Sequence, residues 1–528
     1  MEKKAAKEGL FRRLSRPVEL TSGSPWRVIL RYSMPITVSF ILQQIYVLTD
    51  AIICGQVLTA AQVAGVNDTG PLTFIFLEFA FGCTGGFSVI TAKAAGMGDT
   101  KGVRQSFAAQ IYLSVIISLV LTVASIALLP WLLGVINVTP VNAEVYSAAY
   151  SYCVVIFAGI LAQMGYNFIC GILRAYGDSV TPLIFLIIST ALNIGLDIFF
   201  LTTLSMGPAG AAIATILAQF ISVIGCGAYT FSKYKELRLR KEDFRVSLSS
   251  IWEHLKQGIP LGLQFSILAI GIIVMQGAVV KFDLTASGEM VASTPAQNGF
   301  GAANKLISFL MAPFNGLASA ILGFNAQNYG KRDYERIKRG TLQTVLIMLI
   351  VSAICIAIGL LLSINGTYQY IFMSTDKISA ETIRYGNTFM YVDMAFYAIL
   401  GFLIVVRSAV QGVFLAGYVL CAGVAELPFE SEQFDLVTAF ETVYFWPDLP
   451  QCFREVCRVL KPDGTFLICN ESSGDTDKDE KWTEIIGGMT IYSGDELKTF
   501  LENAGFCNVQ IHKNKMGWLC VTGQKREE

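Results

Sequence analysis

Charged residues are scarce in this chain. Aspartate, glutamate, lysine and arginine make up 15% of its 528 residues, against about 25% in an average soluble domain. Hydrophobic residues make up 53%, and the mean hydropathy is +0.55. This composition excludes a soluble enzyme and predicts an integral membrane protein of the all-α, polytopic class.

Histidine clusters and paired cysteines are also missing. His254 and His512 are the only histidines, and no two of the twelve cysteines are spaced as CxxC. We therefore expect neither a zinc site nor a disulfide framework. The N-terminus, MEKKAAKEGLFRRLSRP, lacks the apolar core and cleavage site of a signal peptide, so the first helix is expected to direct insertion.

Ten stretches with little or no charge are long enough to cross a bilayer. They are residues 28–49, 63–90, 106–129, 145–170, 182–203, 208–231, 257–280, 299–325, 341–364 and 385–406. Lysine and arginine cluster before the first stretch and after each even-numbered one. By the positive-inside rule, the N-terminus and these exits are cytoplasmic, and we expect the chain to lie in the plasma membrane.

Two pairs of segments are similar to each other and predict an internal repeat. PWRVILRYSMP (25–35) is similar to IWEHLKQGIP (251–260), and GGFSVITAKAAGMGDTKGVRQS (85–106) is similar to LASAILGFNAQNYGKRDYERIKRG (317–340). Both halves start on the same side, so the repeat is parallel. Duplicated bundles around a central cavity are typical of transporters.

The first predicted span contains a carboxylate, Asp50, without another charge in residues 34–55. A charge at the bilayer centre costs about 2.5–3.5 kcal/mol on insertion scales. Gln43 and Tyr46 lie on the same helical face as Asp50. Pro35 removes a backbone donor from this helix, so it permits a bend.

The first half contains further polar residues inside its predicted spans. Asn193 and Asp197 share one face of the fifth span, and Asn167 lies in the fourth. Small residues at four-residue spacing in the sixth span allow close helix contact, which would bring Thr215 near its neighbours. Two carboxylates in a low-dielectric interior are expected to hold a proton or to bind a cation.

The second half has fewer polar residues in its spans. Its candidates are Gln264, Gln276, Gln327 and Asn328, and Asp393 is the only acid we find inside its spans. We therefore expect the coupling chemistry in the first half. The alternative is that these polar side chains only join helices through hydrogen bonds, and it stays open above all for Thr215 and Gln43.

The membrane part resembles the multidrug and toxic compound extrusion (MATE) family up to about residue 412. The resemblance rests on the helix from Pro35 to Asp50 and on ILRAYGDSVTPL (172–183), ALNIGLDIFF followed by MGPAGAAIAT, and FGAANKLISFLMAPFNGLASAILGFNAQNYG (300–330). It is similar to the DinF-like branch, which implies antiport: Na⁺ or H⁺ entering drives amphipathic, often cationic, compounds outward.

The resemblance also implies roles for the polar residues. It assigns cation coupling to Asp50, Asn193, Asp197 and Thr215, with a possible Na⁺ at the first three, and a bend to Pro35. Gln43, Tyr46, Asn167, Gln264 and Gln276 would line the cavity. Protonation or Na⁺ binding at the two acids would favour bending at Pro35 and release of the drug. No cofactor or nucleic acid is expected; the partners are bilayer lipids and small amphipathic substrates.

The last hundred residues have a different pattern. FDLVTAFE predicts a buried strand, LPQCFREVCRVL an amphipathic helix, GTFLICNE a strand, SGDELKTFLENAGF a helix with a Ser493/Glu496 capping box, and VQIHKN and WLCVTGQ a strand pair. AELPFESEQFDLV and REVCRVLKPDGTF resemble the C-terminal half of class I S-adenosylmethionine-dependent methyltransferases. Because the Gly-rich cofactor loop is absent, we expect neither cofactor binding nor methyl transfer.

Charge and length divide the chain into unlike parts. Residues 408–528 carry 19 acidic and 10 basic side chains, a net charge of −9, whereas residues 1–407 carry 21 acidic and 29 basic, a net charge of +8. The predicted domains are a cytoplasmic N-terminus, a six-helix lobe, a linker, an incomplete second lobe and a cytoplasmic α/β fragment. These are residues 1–24, 25–235, 236–256, 257–417 and 418–528.

Three alternatives to an active exporter remain open from the sequence. The chain is a bifunctional fusion, an inactive chimera of a truncated transporter with part of a methyltransferase, or a lipid-linked flippase of the same superfamily. A flippase would be expected to line its cavity with cationic residues for pyrophosphate, whereas the first half offers acids and amides.

Overall fold

The protein divides into a membrane domain, up to Leu420, and a C-terminal domain from Cys421. The computed structural model describes residues 17–136, 138–284, 291, 294–374, 378–413, 424–427, 429–440, 442–474, 483, 489–514 and 517–526. Residues 1–16 of the predicted N-terminal segment and residues 414–423 of the predicted junction therefore lie outside the described part.

The described membrane domain is helical. Its helices are α1 (Pro25–Val57), α2 (Ala60–Asp68), α3 (Gly70–Gly96), α4 (Thr100–Val135), α5 (Ala143–Ala158), α6 (Ile160–Ala175), α7 (Val180–Ile198), α8 (Gly207–Lys233), α9 (Leu248–Val280), α10 (Pro295–Leu310), α11 (Ala312–Gly330), α12 (Tyr334–Ser363), α13 (Thr367–Phe372), α14 (Ala380–Ala395) and α15 (Tyr397–Gly412). A π-turn at Phe199–Thr203 and 3₁₀ turns at Lys235–Leu237, Lys241–Phe244, Lys281–Asp283 and Ile364–Gly366 lie between them.

These helices confirm the predicted polytopic architecture. The described residues contain eight helices long and apolar enough to cross a membrane, and ten when each of two bent pairs is taken as one span. The bent pairs are α5–α6, at 44°, and α14–α15, at 51°. Each of the ten predicted stretches falls inside one of these ten spans.

Two helix ends differ from the prediction. The predicted linker, residues 236–256, contains the start of α9, because Ser247 caps the helix by accepting from the Ser250 backbone N–H and an amphipathic stretch extends it. Arg407, which we expected after the tenth span, lies inside α15.

The two halves match in their helix lengths. α1 and α9 are both 33 residues long, with Pro35 and Pro260 inside them. The bent pairs α5–α6 and α14–α15 each consist of two 16-residue helices. The second bent pair therefore matches the first in the lengths of its helices.

The halves pack closely through glycine. α3 lies against α9 along a seam where Gly82 and Gly86 face Gly258 and Gly262. A Cβ on Gly82 would come within 2.6 Å of the Leu261 carbonyl oxygen. Small residues in a GxxxG arrangement on both helices permit this approach.

A second seam closes the halves where α3 and α11 end. A Cβ on Gly96 would overlap the Gln327 backbone, and one on Gly330 would overlap the Lys93 backbone. The Gln327 amide donates to the Ala175 carbonyl at 2.7 Å. This closed end is the one that carries the basic loops.

The C-terminal domain is a four-stranded sheet with two helices, which confirms the predicted α/β fragment. Its elements are β1 (Phe434–Phe440), α16 (Leu449–Val459), β2 (Leu460–Asn470), α17 (Gly494–Asn503), β3 (Phe506–Lys513) and β4 (Leu519–Lys525), with a 3₁₀ turn at Val443–Phe445. The strand order is β1-β2-β4-β3; β1 and β2 are parallel, and the other pairs are antiparallel.

One prediction for this domain is wrong. β1 is at the edge of the sheet, with Leu436 and Phe440 exposed by 55% and 43%. Its apolar run is typical of a strand covered on both faces, but the described chain supplies β1 with only one neighbouring strand. The Ser493/Glu496 capping box is present as predicted.

Candidate functional site

The two intramembrane acids of the first half contact each other. Asp50 on α1 and Asp197 on α7 bring their carboxyl groups to hydrogen-bonding range. Both groups are acceptors when ionised, so a hydrogen bond between them requires one proton. Asp197 is fully buried, and Asp50 is partly buried.

Within the described part of the chain, the acid pair has no neutralising positive charge. The described residues bring no lysine or arginine to either carboxyl group. Oδ1 of Asp50 and both carboxyl oxygens of Asp197 are buried and make no hydrogen bond of ordinary length to the described chain, although the Asn193 amide interacts with the Asp197 carboxyl group. A buried, unpaired carboxylate is costly, so this arrangement favours uptake of a proton or a cation.

Thr215 contacts two side chains on the helices that carry the acid pair. Its Oγ1 lies 3.0 Å from the Tyr46 hydroxyl and accepts from the Asn193 amide at 3.4 Å. Asn193 Oδ1 is buried and has no donor among the described residues. The cluster is therefore rich in uncompensated oxygen atoms, which are the ligands that hard cations such as Na⁺ prefer.

Local sequence explains how the elements bring these residues together. Immediately after Asp197, α7 widens into the π-turn Phe199–Thr203, a feature frequent at functional sites. Gly210 on α8 faces Phe200 of that turn, where a Cβ would come within 3.3 Å of the Phe200 Cβ. The small residues of α8 thus bring Thr215 against α1 and α7.

A small cavity of about 10 Å³ lies between α1, α3, α6 and α7, a volume of about one water molecule. Gln43, Asn167 and Arg174 contribute its polar walls. Gln43 is two helical turns before Asp50 on α1. Two predicted cavity residues, Gln43 and Asn167, therefore lie together on one side of the acid pair.

The second-half candidates do not join this cluster. Gln264 contacts Arg407 and Gln411 of α15, and Gln276 is a half-buried residue near the end of α9. Asp393 contacts Tyr397 across the break between α14 and α15. In the first half, the predicted bend residue Pro35 lies inside α1. Gln327 and Asn328 donate to backbone carbonyls and fix helix ends.

Sequence reasoning missed two charged residues. Glu78 is a half-buried carboxylate in the middle of α3, without a hydrogen bond or ion pair to another described residue. A lone acid in an apolar helix is the signal that identified Asp50, and it applies to Glu78 equally. Arg174, a basic residue that follows the fourth predicted stretch, lines the cavity.

The described residues contain no group of three or more histidine, cysteine, aspartate or glutamate side chains arranged to hold a metal ion. The acid pair, with one amide and two hydroxyl groups, suits a proton or a monovalent cation.

Comparison with known proteins identifies two regions. Residues 35–199 match the family model described as MatE, and residues 375–468 match a methyltransferase domain. The second match begins upstream of the α/β fold, because residues 380–412 form α14 and α15.

Relatives of known sequence or structure agree with these matches. A probable multidrug resistance protein of Bacillus subtilis, YpnP, is 29% identical and covers 60% of this chain and 68% of its own. A solved outward-facing conformation of a multidrug resistance MATE family transporter of the MOP superfamily has a TM-score of 0.69, at 22% identity over 85% of this chain and 92% of its own. The sterol 4-C-methyltransferase strm-1 of Caenorhabditis elegans is 34% identical over 12% of this chain and 19% of its own.

Proposed function

We propose that this chain, whose membrane domain is a homologue of MATE transporters and contains a MatE domain, is a cation-coupled efflux antiporter. Na⁺ or H⁺ moving inward would drive amphipathic, often cationic, compounds outward. The observation on which the proposal rests is the contact between Asp50 and Asp197 without a counter-charge.

The acid pair gives a physical basis for coupling. Without a proton or cation, the two carboxylates repel each other in a low-dielectric interior. Uptake of one positive charge removes this repulsion and lets α1 and α7 approach. Because Pro35 interrupts the hydrogen bonds of α1, α1 is able to bend in response.

The closed seam supports alternating access. Gly96 and Gly330 bring α3 and α11 into contact at the end with the basic loops. We infer that this end faces the cytoplasm and that the chain lies in the plasma membrane. Opening this seam would expose the space between the halves to the cytoplasm and admit the drug.

We further propose that the C-terminal domain does not transfer methyl groups. The chain has β1, β2 and the antiparallel pair of the methyltransferase-like sheet, and the Gly-rich loop that binds the cofactor is absent from the sequence.

Efflux of a cationic dye from proteoliposomes tests the proposed function. The full 528-residue chain is reconstituted, ethidium is enclosed with it, and a pH or Na⁺ gradient is imposed. The expected result is efflux that requires both the protein and a gradient. A folded, inserted chain that gives no efflux under either gradient would contradict the proposal and favour the inactive chimera.

A further inference from the structure

Three polar side chains bridge α9 and α15 in the second half. With the amides oriented so that donors face acceptors, the Gln264 oxygen lies 2.7 Å from Arg407 Nη1 and 3.1 Å from Nε. The Gln264 amide nitrogen then donates to the Gln411 side-chain amide at 2.6 Å, and Gln411 accepts through its oxygen. We call Gln264, Arg407 and Gln411 the α9–α15 triad.

The positive charge of the triad is not compensated. In the described part of the chain, no carboxylate pairs with Arg407, whereas Arg104 pairs with Asp243 and Arg458 with Glu455. Residues 408–425 contain no aspartate or glutamate at all. Arg407 is only partly exposed. A guanidinium inside a membrane span without a counter-charge is costly, so this site is suited to an anion.

The equal lengths of α6 and α15 relate the triad to the first half of the membrane domain. When the 16-residue helices α6 and α15 are aligned end to end, Arg407 falls at the position of Cys170 and Gln411 at that of Arg174. Cys170 and Arg174 both line the cavity of the first half. In this alignment, two residues of the triad fall at positions that line the small cavity of the first half.

The N–H groups that remain available in the triad indicate the chemical class of its ligand. A guanidinium has five N–H donors in a planar fork, and the Gln264 oxygen accepts two of them. Three remain, and the Gln411 amide adds its own. Arginine forks bind phosphate and carboxylate in a bidentate manner. A phosphate, with its several oxygens, is able to accept from more of these remaining donors than a carboxylate with two.

We propose that the α9–α15 triad is a binding site for a phosphate group. The phosphate comes either from a lipid headgroup or from a phosphorylated small molecule, and both would make the same contacts with Arg407. This site is separate from the Asp50–Asp197 pair and is independent of cation coupling. It would extend the ligands of the chain from cationic to phosphate-bearing compounds.

Two paired probes test the site with the purified full chain. Riboflavin 5′-phosphate and riboflavin differ only in the phosphate, and their fluorescence reports binding directly. Phosphatidylglycerol and phosphatidylcholine, supplied in nanodiscs, form the lipid pair, and native mass spectrometry counts the lipid retained. If the phosphate belongs to a soluble compound, riboflavin 5′-phosphate should bind at least tenfold more tightly than riboflavin. If it belongs to a lipid, phosphatidylglycerol should be retained selectively over phosphatidylcholine.

Variants of Arg407 test whether its guanidinium causes the preference for the phosphate-bearing probe. Arg407→Gln should abolish whichever preference the parent shows, and Arg407→Lys should retain part of it, because lysine keeps the charge and loses the fork. Arg339→Gln is the matched control, since the Arg339 side chain is 68% exposed, and it should behave like the parent. Parent protein that prefers neither the phosphorylated flavin nor phosphatidylglycerol would overturn the proposal, as would a preference that survives in Arg407→Gln.

Discussion

Tyr46 and Asn193 meet at a single atom: both contact Thr215 Oγ1, at 3.0 Å and 3.4 Å, from helices α1 and α7. Thr215 on α8 thereby connects the two helices that carry Asp50 and Asp197. The position of each carboxylate thus depends on a hydroxyl from a third helix. This dependence gives the first prediction.

Removing the Tyr46–Thr215 contact should weaken transport. Tyr46→Phe and Thr215→Val each delete one partner, and each should slow gradient-driven efflux about three- to tenfold, because a single hydrogen bond contributes about 0.5–1.5 kcal/mol. The measurement is the initial rate of ethidium efflux. If the contact carries the effect, the double variant should be no slower than the slower single variant; additive losses would contradict this.

The seam between α3 and α9 should tolerate no added volume. In Gly262→Ala, the new Cβ would come within 2.7 Å of Cys83 Sγ and 2.8 Å of the Phe79 carbonyl oxygen. Such overpacking costs about 1–3 kcal/mol, so thermal unfolding in detergent should occur at a lower temperature. Gly271→Ala on the same helix meets nothing within 4 Å and is the control. Equal melting temperatures for the two variants would rule out the tight seam.

Acid should loosen the start of the C-terminal domain. Glu455 accepts from Arg458 Nε at 2.9 Å and Nη2 at 2.8 Å and from the Leu427 backbone N–H at 3.0 Å. These bonds, chiefly the one to Arg458, lower the pKa of Glu455. The stability they add is complete above the unfolded pKa of about 4.3 and is lost as pH falls through the lower folded value.

Hydrogen exchange of the Leu427 amide measures this loss. Because the pair is partly exposed, the effect should stay below about 1 kcal/mol. Protection in the parent should stay constant from pH 7 down to about pH 4.3 and fall at lower pH, and Glu455→Gln should show the lower protection already at pH 7. Glu502→Gln, whose side chain is 51% exposed, serves as the control. Protection of the parent that does not change with pH would exclude this role of Glu455.

The C-terminal domain should bind no S-adenosylmethionine. The glycine-rich loop that would contact the methionine end of the cofactor is missing from the chain, so half of the pocket is missing. Isothermal titration of the full chain with S-adenosylmethionine should give no heat of binding at cofactor concentrations up to about 1 mM. Saturable binding below that concentration would show that a half-sheet suffices.

Periodicity predicted the helices well because long apolar runs have few alternative structures in a bilayer. The span from Val180 to Thr203 and the capped helix α17 were both identified from local signals alone. The edge position of β1 was not predicted, because an apolar run is typical of a strand that is buried in a complete sheet. The described domain supplies β1 with only one neighbouring strand, so Leu436 and Phe440 stay exposed.

The contacts of the site were less accessible to sequence reasoning. A four-residue spacing placed Asn193 and Asp197 on one face, yet their contact with Asp50 depends on packing between helices far apart in the chain. The contact between Gln264 and Arg407 could not be predicted, because Arg407 lies near a helix end and its long side chain reaches back into the span. Glu78 had a clear local signal and was overlooked.

The most direct test of cation coupling at the Asp50–Asp197 pair compares the parent chain with Asp50→Asn in the same proteoliposomes. The asparagine keeps the shape of the side chain and removes the charge that couples to the cation. With both proteins verified as folded and inserted, we expect gradient-driven ethidium efflux in the parent and a rate at least tenfold lower in Asp50→Asn. Equal gradient-driven efflux from the two proteins would contradict the assignment of coupling to the Asp50–Asp197 pair.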